Sequence, residues 1–447
     1  MLKFILMLSA LFSLVSCSTS TADSKPNILV IMVDDLGYAD LSNFGAPDIK
    51  TPEIDSLMKQ GVKFTDFTAN CCVCSPSRAA FLTGRNQDMV GVPGVIRTYD
   101  SGNWGYLDPK ATTLPDILGK NGYRTSLIGK WHLGLQSPNT PNERGFEEFH
   151  GFLGDMMDDY WKHLRHGNAY MYHNKERVET AGTHATDLFT NWAIEDLKMA
   201  KKDGRPFFQF LAYNAPHSPI HPPKEWLEKF KKNNPGIPVK RAKIGALIEH
   251  LDYSVGKVLD TLDELDLSKN TLVIFTSDNG GKISFGANNG PLRSDKTHVY
   301  EGGLKVCTSF TWPGKIQNGR VTKFRGMTMD LFPTILDAAG ISEHGKIDGL
   351  SMLQEITEGG QKSFAGRDQV YTWLQGYKKH ALRKGDWKLV KDTEKSSYEL
   401  YNMAEDPYEK TDLAKVNKEK FDELMKIMKN YLAEADKVNW KRPSQLK

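Results

Sequence analysis

The sequence predicts an α/β fold: a large, mostly parallel sheet flanked by helices, followed by a smaller C-terminal antiparallel α+β subdomain. Two observations carry this. Continuous apolar runs alternate with helix-like segments through most of the chain, the mark of strands buried on both faces of a parallel sheet. From about Asp368 the pattern changes to short strand-like runs joined by turns. The length of 447 residues agrees, because it exceeds what one hydrophobic core usually organises.

Taken in order, the first 17 residues, "MLKFILMLSALFSLVSC", read as an export signal rather than as fold. A lysine precedes an apolar run too short to span a bilayer. The run closes on Leu14-Val15-Ser16-Cys17, which resembles a bacterial lipobox. That resemblance implies a lipoprotein anchored through Cys17, periplasmic or on the outer membrane. An ordinary cleavable signal is the alternative, and both predict export into oxidising conditions. Residues 18–25 read as a flexible tether, and no later segment is apolar enough to cross a membrane, so a lipid anchor is the only membrane attachment expected.

The main unit is expected over residues 26–367. "NILVIMV" (27–33) is a buried strand, and "TPEIDSLMKQG" a helix with Thr51 as its cap, Pro52 at its first position and Gly61 as its stop. Further strands are "RTSLIG" (124–129), "PFFQFLAY" (206–213) and "NTLVIFTS" (270–277). Between the last two, Ile244, Leu247, Ile248, Leu251, Val255, Val258, Leu259 and Leu262 form one apolar face of a long helix. In the second unit (368–447), "DQVYTWLQ", "HALRKGDWKLVKD" and "SYELYNM" are strand-like, and a closing helix is expected from Leu413 to about Ala435. A charged fraction of 25% is ordinary for a soluble globular protein. The net charge of +3 and the lack of long basic blocks argue against a nucleic-acid binder.

Two buried strands end in acidic groups. One runs into Asp34-Asp35 and another into Asp278-Asn279. In open α/β sheets ligands bind beyond the carboxyl ends of the strands, so both pairs should open onto one crevice. Four such oxygen donors suit a hard cation, Ca²⁺ or Mg²⁺, better than zinc. Taken singly, each pair also suits a helix or turn cap. Lys130, His132 and His217 follow other strands, and Lys296 sits in a later loop. A cation beside lysines and histidines is equipment for cleaving a tetrahedral oxyanion ester, phosphate or sulfate.

Three of the five cysteines crowd into "CCVCSPSR" (71–78). Adjacent Cys71 and Cys72 could close only a strained disulfide, and a zinc knuckle lacks its second ligand pair, since Cys307 stands alone. The run Cys74-Ser75-Pro76-Ser77-Arg78 with Leu82-Thr83-Gly84-Arg85 instead resembles the signature of the type I, formylglycine-dependent sulfatases, arylsulfatase-like members of the alkaline phosphatase superfamily. "GKWHLG", "PHSP", "SDNGG", "PLRSDK", "YEGG" and the C-terminal "GDWKLV" follow in that family's order.

The resemblance implies a sulfuric ester hydrolase in which Cys74 is oxidised to formylglycine by a formylglycine-generating or anaerobic sulfatase-maturating enzyme. It implies one calcium ion held by Asp34, Asp35, Asp278 and Asn279 and touching residue 74. It implies that Arg78 and Lys130 stabilise charge, that His132 serves the formylglycine hydroxyls, and that His217 and Lys296 face the ester oxygen. The chain departs from the family pattern at Lys305-Val306-Cys307 and in "SDKTH", which puts Asp295 and His298 near the expected pocket wall.

A sulfated poly- or oligosaccharide is the expected substrate, with "GDMMDDYWKHLRHGNAYMYHN" (154–174) and "RTYDSGNWGYLDP" (97–109) as the loops that would choose it. For the first loop, packing of its aromatics on the body is the alternative. A phosphatase or phosphodiesterase of the same superfamily would carry serine or threonine where this chain has Cys74. A non-catalytic glycan binder would not need the full residue set.

Overall fold

The computed structural model describes residues 25–99, 102–360, 370–375, 378–392 and 397–438. The export signal with Cys17, and nearly all of the tether, lie outside the described residues. The strands of the main unit are β1 (Asn27–Val33), β2 (Val62–Thr68), β3 (Arg124–Lys130), β4 (Glu148–Phe152), β5 (Leu164–Arg165), β6 (Asn168–Ala169), β7 (Met171–His173), β8 (Glu176–Arg177), β9 (Phe207–Ala212), β10 (Thr271–Ser277), β11 (Thr308–Thr311) and β12 (Arg320–Met327). Ten of them form one sheet in the order β12-β2-β11-β10-β1-β9-β3-β4-β7-β8, with β5 and β6 as a separate small hairpin.

The centre of the sheet is parallel: β1 lies between β10 and β9, and β3 between β9 and β4. Every residue of β1, β3, β9 and β10 is buried, which is why β1, β9 and β10 read as largely apolar runs, whereas β3 buries Arg124, Thr125, Ser126 and Lys130 as well. Side chains alternate across the sheet. Ile28, Val30 and Met32 join one hydrophobic core, while Leu29, Ile31 and Val33 join the other. The helix Val239–Glu264 covers the second face with Ile244, Leu247, Ile248, Leu251, Val255, Val258 and Leu262 buried and Leu259 half-buried. Each fully buried side chain of this kind contributes roughly 1.5–3 kcal/mol.

The margins of the sheet differ from the parallel centre. β11 runs antiparallel between β10 and β2, and β7 and β8 fold back on β4. Two details of the helix Pro52–Lys59 also differ from expectation. The Thr51 hydroxyl makes no cap to the helix backbone and donates instead to the Asp55 carboxylate at 3.1 Å. The terminal N–H groups are met from another helix, where Asp252 accepts from Ile54 N at 2.8 Å and Glu53 N at 3.2 Å. Gly61 is required by a close approach: a Cβ there would sit 2.0 Å from the Phe310 carbonyl.

The C-terminal subdomain is an antiparallel sheet in the order β13 (Val370–Gln375), β14 (Lys379–Lys384), β15 (Trp387–Lys391), β16 (Glu399–Asn402). The helix Lys418–Ala435 packs on it through Leu424 and Met428 against Leu382, Leu389 and Leu400. This helix begins later than Leu413, because Leu413 N–H donates to Leu400 O along β16 and Asn417 supplies the cap by accepting from Lys420 N. Among the described residues no helix is long and apolar enough to cross a membrane.

The subdomain grips the segment that carries Lys296. Lys379 Nζ donates to Thr297 O at 2.6 Å, and Asp392 accepts from Val299 N at 2.9 Å and pairs with His298. Below them Lys388 is fully buried between Glu301 and Glu409, 2.7 Å from a carboxylate oxygen of each. Breaking a buried ion cluster from one side leaves uncompensated charge. Lys388→Ala is therefore expected to cost about 3–5 kcal/mol of stability, read as a shifted urea midpoint; a shift within error would show that the two carboxylates do not need this lysine.

Candidate active site

The strand ends bring the acidic residues together by register. Val33 pairs with Ser277, so Asp34 and Asp278 leave neighbouring strands side by side. Asp278 N–H donates to Val33 O at 3.1 Å, Asp34 N–H to Ala215 O at 3.2 Å, and Asp35 N–H to the Asp278 carboxylate at 3.3 Å. Asp35 adopts a left-handed backbone (φ 65°), an unusual conformation for a residue with a Cβ, here held by these bonds.

Cys74 is the first residue of a helix, Cys74–Thr83, in which every residue is buried. The motif residues around it hold its entry. The Ser77 hydroxyl donates to Cys71 O at 3.0 Å and accepts from Cys71 N at 3.1 Å, closing the turn. Pro76 falls in the first turn, where a helix needs no N–H. Ser75 Oγ accepts from Ile96 N at 3.1 Å. Cys74 Sγ lies 3.3 Å from Asp34 Oδ1 and 3.6 Å from Lys296 Nζ. Burial, and then the Asp34 carboxylate, push its thiol above the ordinary range, so the unmodified side chain is a poor source of thiolate. Cys71, Cys72 and Cys307 are buried thiols, and only Cys74 reaches the cavity described below.

His132 also has a left-handed backbone (φ 66°). Its Nε2 lies 2.7 Å from Ile96 O, and a carbonyl only accepts, so Nε2 carries the proton. Nδ1 is then the free lone pair, buried and without a hydrogen-bond partner. Burial, followed by the charges of Lys130 and Arg78, holds this imidazole well below its usual pKa, in the neutral form. Gly129 precedes it at the end of β3, where a Cβ would fall 2.1 Å from Ala212 O. His217 is fixed in the same way through its other nitrogen: Nδ1–H donates to Ser218 O at 2.6 Å, leaving Nε2 3.5 Å from Asp35 Oδ2. Tyr160 braces this turn, its hydroxyl 2.9 Å from both Asn214 O and His217 O.

The cations divide into two sets. Lys296 Nζ reaches Asp35 at 2.7 Å; burial opposes its charge, but Asp35 raises its pKa above the lysine value. Lys130 and Arg78 lie fully buried behind the carboxylates. Lys130 Nζ is 2.5 Å from Asp34 Oδ2, and Arg78 forks onto Asp278 at 2.8 and 3.1 Å while donating to Lys130 O. Cys74, Asp35, His132, His217 and Lys296 line a cavity of about 240 Å³; Arg78 and Lys130 do not.

Four donor atoms, from Asp34, Asp35, Cys74 and His217, lie within 4.8 Å of one another. Asp34, Asp35 and Cys74 belong both to this cluster and to the set named from sequence, while His217 was read as facing the ester oxygen. The remaining two, Asp278 and Asn279, adjoin it: Asn279 Nδ2 donates to Asp35 Oδ1 at 2.8 Å, while Asn279 Oδ1 is buried with no partner. Burial, and then the neighbouring Asp34 charge, push Asp278 up to about 7 against the lowering effect of Arg78 and Lys130. A hard divalent cation answers both the unpartnered oxygen and the crowding.

Several contributors carried no local signal. Tyr160 lies inside a loop read for substrate contact and proves to be a brace. Lys282 lines the cavity and is anchored to Asp295 at 3.0 Å. Asp295 and His298 do not face the cavity; they pin its wall from behind, Asp295 through Lys282 and Ile283 N, and His298 through Asp392.

Residues 26–341 match the family model described as Sulfatase, and residues 293–438 the model described as N-sulphoglucosamine sulphohydrolase, C-terminal. The chain is 31% identical over 426 residues to the N-acetylgalactosamine-6-sulfatase of Canis lupus familiaris, covering 90% of this chain and 78% of the relative. It is 29% identical over 446 residues to Arylsulfatase J of Mus musculus, covering 88% and 73%. Among solved structures it is similar to Ps i-CgsB in complex with k-i-k-neocarrahexaose, with a TM-score of 0.86 at 30% identity over 94% of this chain and 96% of the other.

Proposed function

Because the chain belongs to the sulfatase family, as a type I sulfatase of the alkaline phosphatase superfamily and so a sulfuric ester hydrolase, we propose that it desulfates a sulfated poly- or oligosaccharide through a formylglycine at position 74 and one calcium ion. One observation carries the mechanism: Cys74 opens a buried helix at the floor of the cavity, within 3.3 Å of Asp34 and 3.6 Å of Lys296, with His132 and His217 on the same walls. Two similar proteins support the substrate, one an N-acetylgalactosamine-6-sulfatase and one solved in complex with k-i-k-neocarrahexaose.

Asp34, Asp35, Asp278 and Asn279 would hold the calcium ion. Once in place, the ion and the hydrated aldehyde would supply charge neutralisation at a sulfate oxygen and a nucleophilic hydroxyl that a thiol lacks. The chain's own groups do the rest. Lys296 offers a fixed ammonium to the sulfate, and preplaced charge of this kind stabilises the equatorial oxygens during in-line attack. Lys130 and Arg78, locked on Asp34 and Asp278, keep those carboxylates oriented and lend positive potential from behind. His132 can take a proton at Nδ1, its only unfilled position, from a hydroxyl on residue 74. His217, held at Nδ1, can give a proton from Nε2 to the leaving sugar oxygen once the ring is an imidazolium, a form that the Asp35 carboxylate 3.5 Å away favours while burial and then the Lys296 charge hold its pKa down. The same proposal places the protein outside the cytoplasm, tethered through Cys17.

The test of maturation is the tryptic peptide Phe64–Arg78, from protein produced with an active formylglycine-generating or anaerobic maturating enzyme. Its mass is expected to show the side chain of Cys74 replaced by an aldehyde, and Cys71 and Cys72 intact. Fully active enzyme retaining only the thiol would overturn the formylglycine mechanism. Free sulfate released from a panel of sulfated saccharides tests the substrate class independently.

A further inference from the structure

Two loops meet at the mouth of the cavity. Arg97 and Asp155 both line it, and around them Tyr99 packs edge-on against His166 with ring centroids 5.3 Å apart. Asp155 is already satisfied. Arg165 forks onto it, Nε to Oδ1 at 2.9 Å and Nη2 to Oδ2 at 3.1 Å, and Met156 N–H adds a third bond at 3.0 Å. Arg165 closes a frame by also reaching Asp158 at 2.9 Å.

Arg97 is left outside this frame. Its one ion pair among the described residues is Nη1 to Asp155 Oδ2 at 3.9 Å, and its side chain is 34% exposed while that of Asp155 is 4% exposed. Tyr99 braces it, with the guanidinium carbon 5.6 Å from the ring centroid. On the opposite wall Lys282 is committed to Asp295 and to Lys296 O. A guanidinium whose nearest carboxylate partner among the described residues lies 3.9 Å away and is already bonded to Arg165, held at the rim of an anion-cleaving cavity, is suited to fork-like recognition of a second anion. The cavity, at about 240 Å³, holds roughly one sugar ring, being smaller than the roughly 300–1,000 Å³ of drug-sized pockets.

We propose that Arg97 reads a second anionic substituent on the saccharide, a sulfate ester or a uronate carboxylate, on the ring carrying the scissile sulfate or on its neighbour. The proposal rests on the carbohydrate-sulfatase reading above. Multiply charged saccharides are then preferred over singly sulfated ones, and Arg97 is the residue that makes the difference.

The test compares kcat/KM for three substrates: a monosulfated oligosaccharide, the same backbone with a second sulfate, and a monosulfated oligosaccharide containing a uronate. Each is measured with the matured wild type, Arg97→Ala and Arg97→Lys, and scored as the ratio of dianionic to monosulfated substrate, which cancels any loss of folded or matured enzyme. Arg97→Ala is expected to lower that ratio roughly 10- to 100-fold, the range for a hydrogen bond to a charged group. Arg97→Lys should keep part of it. A fall with the disulfated substrate assigns the second group as sulfate, and a fall with the uronate assigns it as carboxylate. A ratio unchanged for both overturns the proposal. Wild type that cleaves p-nitrophenyl sulfate but none of the saccharides overturns the carbohydrate reading itself, and the role of Arg97 falls with it.

Discussion

Replacing Cys74 by alanine is expected to remove sulfate-ester hydrolysis, with kcat falling by at least about 10⁴-fold, the order seen when a nucleophile is removed from an otherwise intact site. The cavity offers no substitute. Ser218 and Thr297 also line it, but neither hydroxyl stands next to Asp34 and Lys296 as residue 74 does. The side chain lost is small and 97% buried, so the cost in stability is modest against the loss in rate. Sulfate release and the urea midpoint, measured on the same preparation, separate the two effects. More than a percent of wild-type turnover in the alanine variant would remove residue 74 from the chemistry. Cys71→Ala and Cys72→Ala serve as neighbours of the same size and burial, and each should retain most of the activity.

The parts of this fold that could be read from sequence are those where burial writes a simple pattern. β1, β3, β9 and β10 are covered on both faces, and the apolar runs of β1, β9 and β10 could be read without knowing their partners. The antiparallel margins were not legible in the same way. β5 to β8 have two or three residues each, too few to carry a period, and they are ordered by the elements around them. The helix Lys418–Ala435 was expected to begin at Leu413 because apolar spacing cannot sense the bond from Leu413 to Leu400 that withholds it. At the site, the carboxyl-end rule alone brought Asp34, Asp35, Asp278 and Asn279 to one place. What it could not give was orientation: that Lys130 and Arg78 stand behind the carboxylates, or that Asp155 would be claimed by Arg165 and leave Arg97 half-buried at 3.9 Å from it. Those are contests between loops, decided by three-dimensional approach.

Replacing His217 by alanine should divide substrates by their leaving group. With a sulfated sugar, kcat is expected to fall roughly 10²–10⁴-fold, the usual contribution of a positioned general acid. With p-nitrophenyl sulfate, whose phenolate leaves without protonation, the fall should be less than about tenfold, because the acid contributes little there. The geometry supports this division. His217 Nδ1 is occupied by Ser218 O, so only Nε2 is available to a substrate, and the Tyr160 hydroxyl fixes the turn that aims it. His132 has the opposite arrangement, with Nε2 occupied by Ile96 O and Nδ1 open. His132→Ala should therefore slow both substrates, because the step it serves follows the departure of either alcohol. Equal losses on the two substrates in His217→Ala would mean that His217 binds sulfate rather than protonating the leaving group. The acid would then have to be Lys296, the other cavity-lining cation within reach of Cys74, and a weaker one, because Asp35 raises its pKa above the lysine value against the opposing effect of burial. That outcome is checked in turn by Lys296→Met, which would show the leaving-group dependence that His217→Ala had lacked.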